Sequence, residues 1–248
     1  MPTLWLALAL LAAGGGYDAS LLVAPGIASA GSTMGSVSVT GGAAVDVSES
    51  VFLYAGAALD GAKFAELPEL DRAAAGAEAT LLVDLVGPLA LALSPSASWN
   101  WYADPARSGA MLAGRISLRW RPVRWLALRA GYAHVLRTAA DPVYGTNLDR
   151  VFGEVEFRVA SQTWLSLGGF GERGDATFYE ELPATTTATT VLSPYRAPST
   201  TVGTTLGLEQ ELGAGFSLDV GATLRRTTGP DGSVTGRSFS VSMVWRWD

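Results

Sequence analysis

The chain predicts an all-β fold, one up-and-down antiparallel barrel of twelve strands, with ten or fourteen as the neighbouring counts. Three observations lead there. Apolar and polar side chains alternate with period two along nearly the whole chain, the links between alternating segments are by turns short and long, and aromatic residues gather at the segment ends. The closing stretch "SFSVSMVWRW", residues 238–247, shows the first of these most plainly. Phe239, Val241, Met243, Trp245 and Trp247 share one face of an extended strand, and Ser238, Ser240, Ser242 and Arg246 share the other.

Before the pattern begins, residues 4–13, "LWLALALLAA", form an apolar run too short to cross a bilayer as a helix, followed by Gly14, Gly15 and Gly16. Small residues after a short apolar run suit a signal-peptidase site. Residues 1–16 are therefore expected to be an export signal and 17–248 the barrel, although "MPT" brings no basic side chain to the start of that signal. No later apolar stretch approaches 20 residues, so no transmembrane helix is expected.

Each strand follows from its apolar set. The first carries Tyr17, Ala19, Leu21 and Val23, the second Val37, Val39, Ala43, Val45 and Val47, and the third Val51, Leu53, Ala55, Ala57 and Leu59. Ala77, Ala79, Leu81, Val83 and Leu85 make the fourth, Leu89, Leu91, Leu93, Ala97 and Trp99 the fifth, and Leu112, Ile116, Leu118 and Trp120 the sixth. Leu126, Leu128, Ala130, Tyr132 and His134 form the seventh, and Val151, Val155, Phe157 and Val159 the eighth. A weaker ninth has Leu165, Leu167 and Gly169, before Val202, Leu206, Leu208 and Leu212 in the tenth and Phe216, Leu218, Val220, Ala222 and Leu224 in the eleventh. The positions between are small, polar or charged, and no helical period competes. A soluble sandwich would seldom keep its charges on one face of every strand, so the apolar face is expected to meet lipid and the other a lumen.

Short links are expected at 48–50, 87–88, 121–124, 160–163 and 213–215, and longer polar ones at 66–73, 103–108, 137–149, 178–198 and 227–236. Tyr17, Trp120, Trp125, Trp164, Trp245 and Trp247 fall beside the short links, and Trp99, Trp101, Tyr144, Phe178 and Tyr179 beside the long ones. Two such bands match the depths at which amphipathic rings settle in a membrane interface.

Composition narrows the function. With 17 basic and 23 acidic residues the net charge is -6, and no basic stripe exists to neutralise a phosphate backbone, so nucleic acid is not an expected partner. Cysteine is absent, which removes disulfides and thiolate metal sites. "GFGERG", residues 169–174, has the glycine spacing of a dinucleotide fingerprint, but no helical pattern follows it, and glycines in a curved barrel strand explain it better. His134 is the sole histidine, so any histidine-based triad must use it, and its outward parity suits an interfacial girdle. Acidic loop residues such as Glu66, Glu69, Asp71, Asp141 and Asp231 lack calcium-loop spacing and are expected to be solvated, so no metal site is expected.

The inward charges are the candidate site. Arg115, Arg119 and Arg129 sit on the sixth and seventh strands, and Glu154, Glu156 and Arg158 on the eighth, where opposite charges can meet across neighbours. Either they pair and close the lumen, or a basic wall faces Glu78, Asp84, Glu209, Glu211 and Asp219 across a wet constriction. Many inward Ser, Gly and Ala positions argue for open space.

A signal segment, alternating strands, asymmetric links and an aromatic-rich last strand together resemble bacterial outer-membrane β-barrel proteins over nearly the whole chain. The resemblance implies residence in the bacterial outer membrane, contact with its lipid and lipopolysaccharide, and recognition of the last strand by the barrel-assembly machinery. In that class the strand usually ends on an aromatic residue, whereas Asp248 follows Trp247 here. A porin-like passive channel for small polar or charged solutes is the function implied, without catalysis or cofactor. The small twelve-stranded porins for acidic sugars share the theme of an arginine cluster. A closed structural barrel whose long loops bind a partner is the alternative. An outer-membrane lipid hydrolase would use His134, but Leu136 stands where that family's motif places its serine.

Overall fold

Hydrocarbon offers no water to an open N–H or C=O, so a chain of alternating strands must pair every backbone edge. The computed structural model describes residues 3–22, 30–182, 191–230 and 232–247, with side chains over 31–179, 193–230 and 232–246. Its strands are β1 Thr3–Leu22, β2 Ala30–Ser48, β3 Val51–Phe64, β4 Arg72–Val86, β5 Leu89–Tyr102 and β6 Gly109–Val123. They continue with β7 Leu126–Arg137, β8 Thr146–Ala160, β9 Thr163–Leu182, β10 Val191–Gly213, β11 Phe216–Gly229 and β12 Gly232–Trp247. Each runs antiparallel to the next, and β1 pairs with β12 from Ala9↔Trp247 to Asp18↔Ser238, so the sheet closes on itself.

One rim consists of two-residue turns at 49–50, 87–88, 124–125, 161–162 and 214–215. At the last of these, Ala214 and Gly215 take φ of 52° and 78°, the left-handed pair that a tight hairpin requires. A Cβ on Gly215 would also collide with the Arg246 carbonyl oxygen, so only glycine fits.

The opposite rim differs from expectation. Two stretches read as loops are largely strand: β9 and β10 stay paired from Asp175↔Pro198 up to Leu182↔Val191, and β11 and β12 from Thr227↔Val234 up to Gly229↔Gly232. Thr, Val and Tyr fill these stretches, and β-branched and aromatic residues favour extended backbone whether or not one face is apolar. Pairing of β10 with β11 stops at Thr200↔Thr228, so Pro194 and Pro198 stand where β10 has no β11 partner and no ladder N–H is lost. The first strand differs as well, since β1 takes in residues 3–16, the run that reads as an export signal.

Three 3-10 turns, Pro68–Leu70, Pro105–Arg107 and Pro142–Tyr144, close neighbouring hairpins at this rim. The repeated "ADP" explains two of them: Asp104 and Asp141 cap the turns by accepting from the amides of Ala106 (3.1 Å) and Val143 (3.0 Å), and proline sets the first position. Backbone bonds from Ala103 to Asp71 and from Ala140 to Ser108, 2.8 Å each, join the turns in series. Just above β3, the Glu66 carboxylate accepts from Ser32 Oγ at 2.6 Å and the Thr33 amide at 2.7 Å, which holds its pKa below the ordinary carboxylate range. A depressed folded pKa makes this clamp present above the unfolded value and lost as pH falls through the folded one. The protection factor of the Thr33 amide is therefore expected to fall as pH drops below the ordinary carboxylate range, while amides in mid-barrel keep theirs.

The exterior has no protein to pack against. Leu59, Val151 and Val202 are 63%, 60% and 55% exposed, and they belong to a belt that also carries Leu118, Leu206, Val241 and Met243. In water such a belt would drive aggregation, whereas hydrocarbon satisfies it.

Candidate channel lumen

Register decides which side chains meet inside. Arg119 lies opposite Arg129, and Arg129 opposite Glu154, so two like charges share a row with one carboxylate. Glu156, two residues along β8, relieves the repulsion. Its carboxylate contacts Arg119 at 2.8 Å and Arg129 at 3.4 Å, while Glu154 contacts Arg129 at 3.5 Å. The four form a continuous cation–anion patch on β6, β7 and β8.

Arg115 is held differently. It has no carboxylate within ion-pair distance among the described residues, and its guanidinium lies over the Phe152 ring at 4.3 Å. Arg150 repeats the arrangement over Phe170 at 4.1 Å and also contacts Glu172 at 3.4 Å. Arg150, Phe152, Phe170 and Glu172 are not among the lumen residues expected from the sequence, although Phe170 and Glu172 lie within the "GFGERG" stretch. The alternation already placed Arg150 inward, one position before Val151, but it fell against a stretch taken as loop.

Facing this bulky wall, many inward positions of β2 to β5 are small: Ser36, Ser38 and Thr40 on β2, Gly56 and Ala58 on β3, Gly76 on β4, and Ser94, Ser96 and Ser98 on β5. Larger inward side chains on these strands are Phe52, Tyr54 and Asp60 of β3 and Glu78, Leu82 and Asp84 of β4, and Tyr54 lies flat over Gly42 and Gly56, where any Cβ would strike its ring. Large on one side and small on the other leaves space. A cavity of about 440 Å³ touches Arg119, Arg129, Glu154, Glu156, Glu209 and Asp219. Another of about 360 Å³ lies among Glu78, Ser94, Ser96, Arg115 and Arg150, and a third of about 220 Å³ among Glu172, Ser199, Thr201 and Thr227.

The remaining sequence-selected charges spread toward the short-turn rim. Glu209 contacts Arg246 at 3.1 Å and stands opposite Asp219, whose Oδ1 is buried without a hydrogen-bond partner among the described residues. Glu211 lies opposite Ser217 and Asp84 opposite Ala90, both near the turns. Arg158 turns back onto its own hairpin, donating from Nε to the Ser161 carbonyl at 3.2 Å. Trp164 departs from its expected girdle role. It sits opposite Glu209, lines the cavity of about 440 Å³, and carries Arg158 at 5.3 Å and Arg121 at 5.8 Å from its ring. Trp99, Trp101, Trp120, Trp125 and Trp245 are exposed on the outside, and the side chains of Tyr17 and Trp247 lie outside the described residues.

The β9–β10 hairpin is gripped from two sides at the long rim. Tyr179 Oη accepts from Arg107 at 2.5 Å, Arg107 lies 4.2 Å over Tyr144, and Thr177 donates to the Val143 carbonyl at 2.9 Å. On its other face, Phe178 is only 3% exposed, stacks on Tyr195 with centroids 5.8 Å apart, and presses on Gly229 at the end of β11. These contacts tie the arm to the β5–β6 and β7–β8 turns on one side and to the β11–β12 hairpin on the other.

His134 faces outward as expected. Its Nδ1 is 2.9 Å from Asp149 Oδ1, which Tyr132 also bonds, and Gly114 is its partner on β6. Among the described residues no serine is hydrogen-bonded to His134.

A closed antiparallel sheet with a lipid-facing apolar belt and a charged interior has the fold of bacterial outer-membrane β-barrels, and this is a protein of that membrane. Known structures agree. The chain is similar to the NanC porin (9% identity over 96% of this chain and 100% of the other, TM-score 0.56). It is similar too to the COG4313 outer membrane channel from Pseudomonas putida F1 (10% identity over 97% and 95%, TM-score 0.62). A third likeness is to the KdgM porin in complex with disordered oligogalacturonate (6% identity over 96% and 99%, TM-score 0.53). No protein-family model and no curated protein sequence matches the chain.

Proposed function

We propose that the chain is a porin-like passive channel of twelve strands for small polar or charged solutes, with its short turns in the periplasm and its long rim outside. The observation that supports this most is the asymmetric lumen, a predominance of small residues on β2 and β5 facing charges on β6–β8 with cavities of about 440, 360 and 220 Å³ along the inside. Arg115, Arg119 and Arg129 against Glu154, Glu156 and Glu209 would set charge preference, and the arm bearing Phe178 and Tyr179 would gate the mouth. No reaction is assigned to it. Strand β12 would be the part recognised by the assembly machinery.

Single-channel recording in planar bilayers tests the reading. Discrete current steps are expected, and a trace that never leaves baseline would remove the channel. The ion pairs at Arg119 and Arg129 favour a second reading, a closed barrel whose outer rim binds a partner, and that baseline trace is what it predicts.

Residues 1–16 carry two competing roles, export signal and first half of β1. Of the ten β1–β12 pairs from Ala9 to Asp18, removal after Gly16 leaves two, at Tyr17 and Asp18. Open edge groups in hydrocarbon cost several kcal/mol each. The expected result is therefore retention, read as an N-terminus upstream of Ala9 when protein from outer membranes is sequenced. An N-terminus at Tyr17 would establish the signal instead.

A further inference from the structure

Three arginines point outward from the barrel wall. Parity and register put Arg173 on β9, Arg226 on β11 and Arg237 on β12 on the same face as Leu167, Val202, Leu224 and Phe239, and all three are exposed. Charge on the lipid face is destabilising unless something outside the chain matches it. The chain does not match it. Arg173 and Arg237 have no ion pair among the described residues, and Arg226 spends only part of its fork on Ser233 Oγ, at 2.8 and 3.2 Å. The nearby outward carboxylates are taken, Asp149 by Tyr132 and His134, and Asp175 by Arg196 at 2.7 Å.

The surface between these arginines is grooved. A hollow of about 420 Å³ runs over Leu167, Leu206 and Leu224 and ends at Arg237. A second, of about 410 Å³, lies closer to the long rim, against Arg173, Thr200 and Thr228. The first sits at about mid-wall and only the second is near the long rim. An apolar furrow ending in unmatched guanidinium groups has the shape and charge of a site for an acyl chain joined to a phosphate.

We propose that this face of β9–β12 is a specific site for a phosphorylated glycolipid of the outer leaflet, of the lipid A type. One acyl chain lies along Leu167, Leu206 and Leu224, and the phosphates are held by Arg237, Arg226 and Arg173. The placement in the outer leaflet rests on the orientation proposed above, whereas the site itself does not depend on whether the lumen conducts.

The test uses the full chain in detergent, with purified bis-phosphorylated lipid A titrated in and bound lipid counted by native mass spectrometry. Arg173→Gln, Arg226→Gln and Arg237→Gln are each expected to weaken binding about fivefold, and the triple variant on the order of a hundredfold. Dephosphorylated lipid A should bind the unaltered protein as poorly as the triple variant binds lipid A. If the triple variant does not fold, judged by heat-modifiable migration, Arg237→Gln alone is used. Unchanged lipid A affinity in the variants, or equal binding of the dephosphorylated lipid, would overturn the site. Currents recorded in phosphatidylcholine bilayers should be the same for unaltered and triple-variant protein, so a failed channel and a failed lipid site give separate signatures.

Discussion

Replacing Arg107 with alanine is expected to loosen the arm over the mouth and shift single-channel records toward longer and larger openings. Its side chain is 12% exposed and joins three partners, Asp104 at 3.3 Å, the Tyr179 hydroxyl and the Tyr144 ring. A charge-assisted hydrogen bond and a partly desolvated cation–π contact together contribute about 3 kcal/mol. Losing that much raises the detached population of the arm on the order of a hundredfold. Tyr179→Phe deletes the hydroxyl acceptor while keeping the ring, so its effect should be clearly smaller. Identical gating in the unaltered protein and in Arg107→Ala would show that the arm does not control the mouth.

The second large effect lies at the opposite end. Arg119→Glu places a third carboxylate beside Glu154 and Glu156 and leaves Arg129 as the cation nearest to them. Because Arg119 is 37% exposed, solvent screens part of the penalty, and a loss of about 2 kcal/mol in refolding stability is expected. The electrical consequence is larger. A two-unit change of charge at a constriction should move cation-over-anion permeability on the order of tenfold, read as a shifted reversal potential in a salt gradient. Arg119→Gln should give an intermediate shift. A reversal potential that ignores both variants would mean ions do not pass this layer.

The lipid-facing half of the fold was legible because the medium is uniform. Every outward position in mid-membrane answers to one solvent, so Leu118, Val241 and Met243 declare themselves by hydrophobicity alone. Above the membrane both faces of a strand are wet, the period vanishes, and the paired stretches 178–182 and 191–198 read as loop. The lumen was half legible. Charge and parity bring out Arg119, Arg129, Glu154 and Glu156, but the rings that hold Arg115 and Arg150 look like ordinary apolar residues. Trp164 shows the opposite error. Alternation with Leu165 already placed it inside, and the habit of tryptophan at membrane interfaces overrode that parity.

The arm built from β9 and β10 has a social consequence for the molecule. Above Thr200, β10 presents a strand edge that β11 no longer covers, and a bare edge is a template on which a neighbouring copy can add its own strand. Pro194 and Pro198 put gaps in the donor row along that edge, so copies crowded side by side in the same membrane have no unbroken ladder with which to zip together.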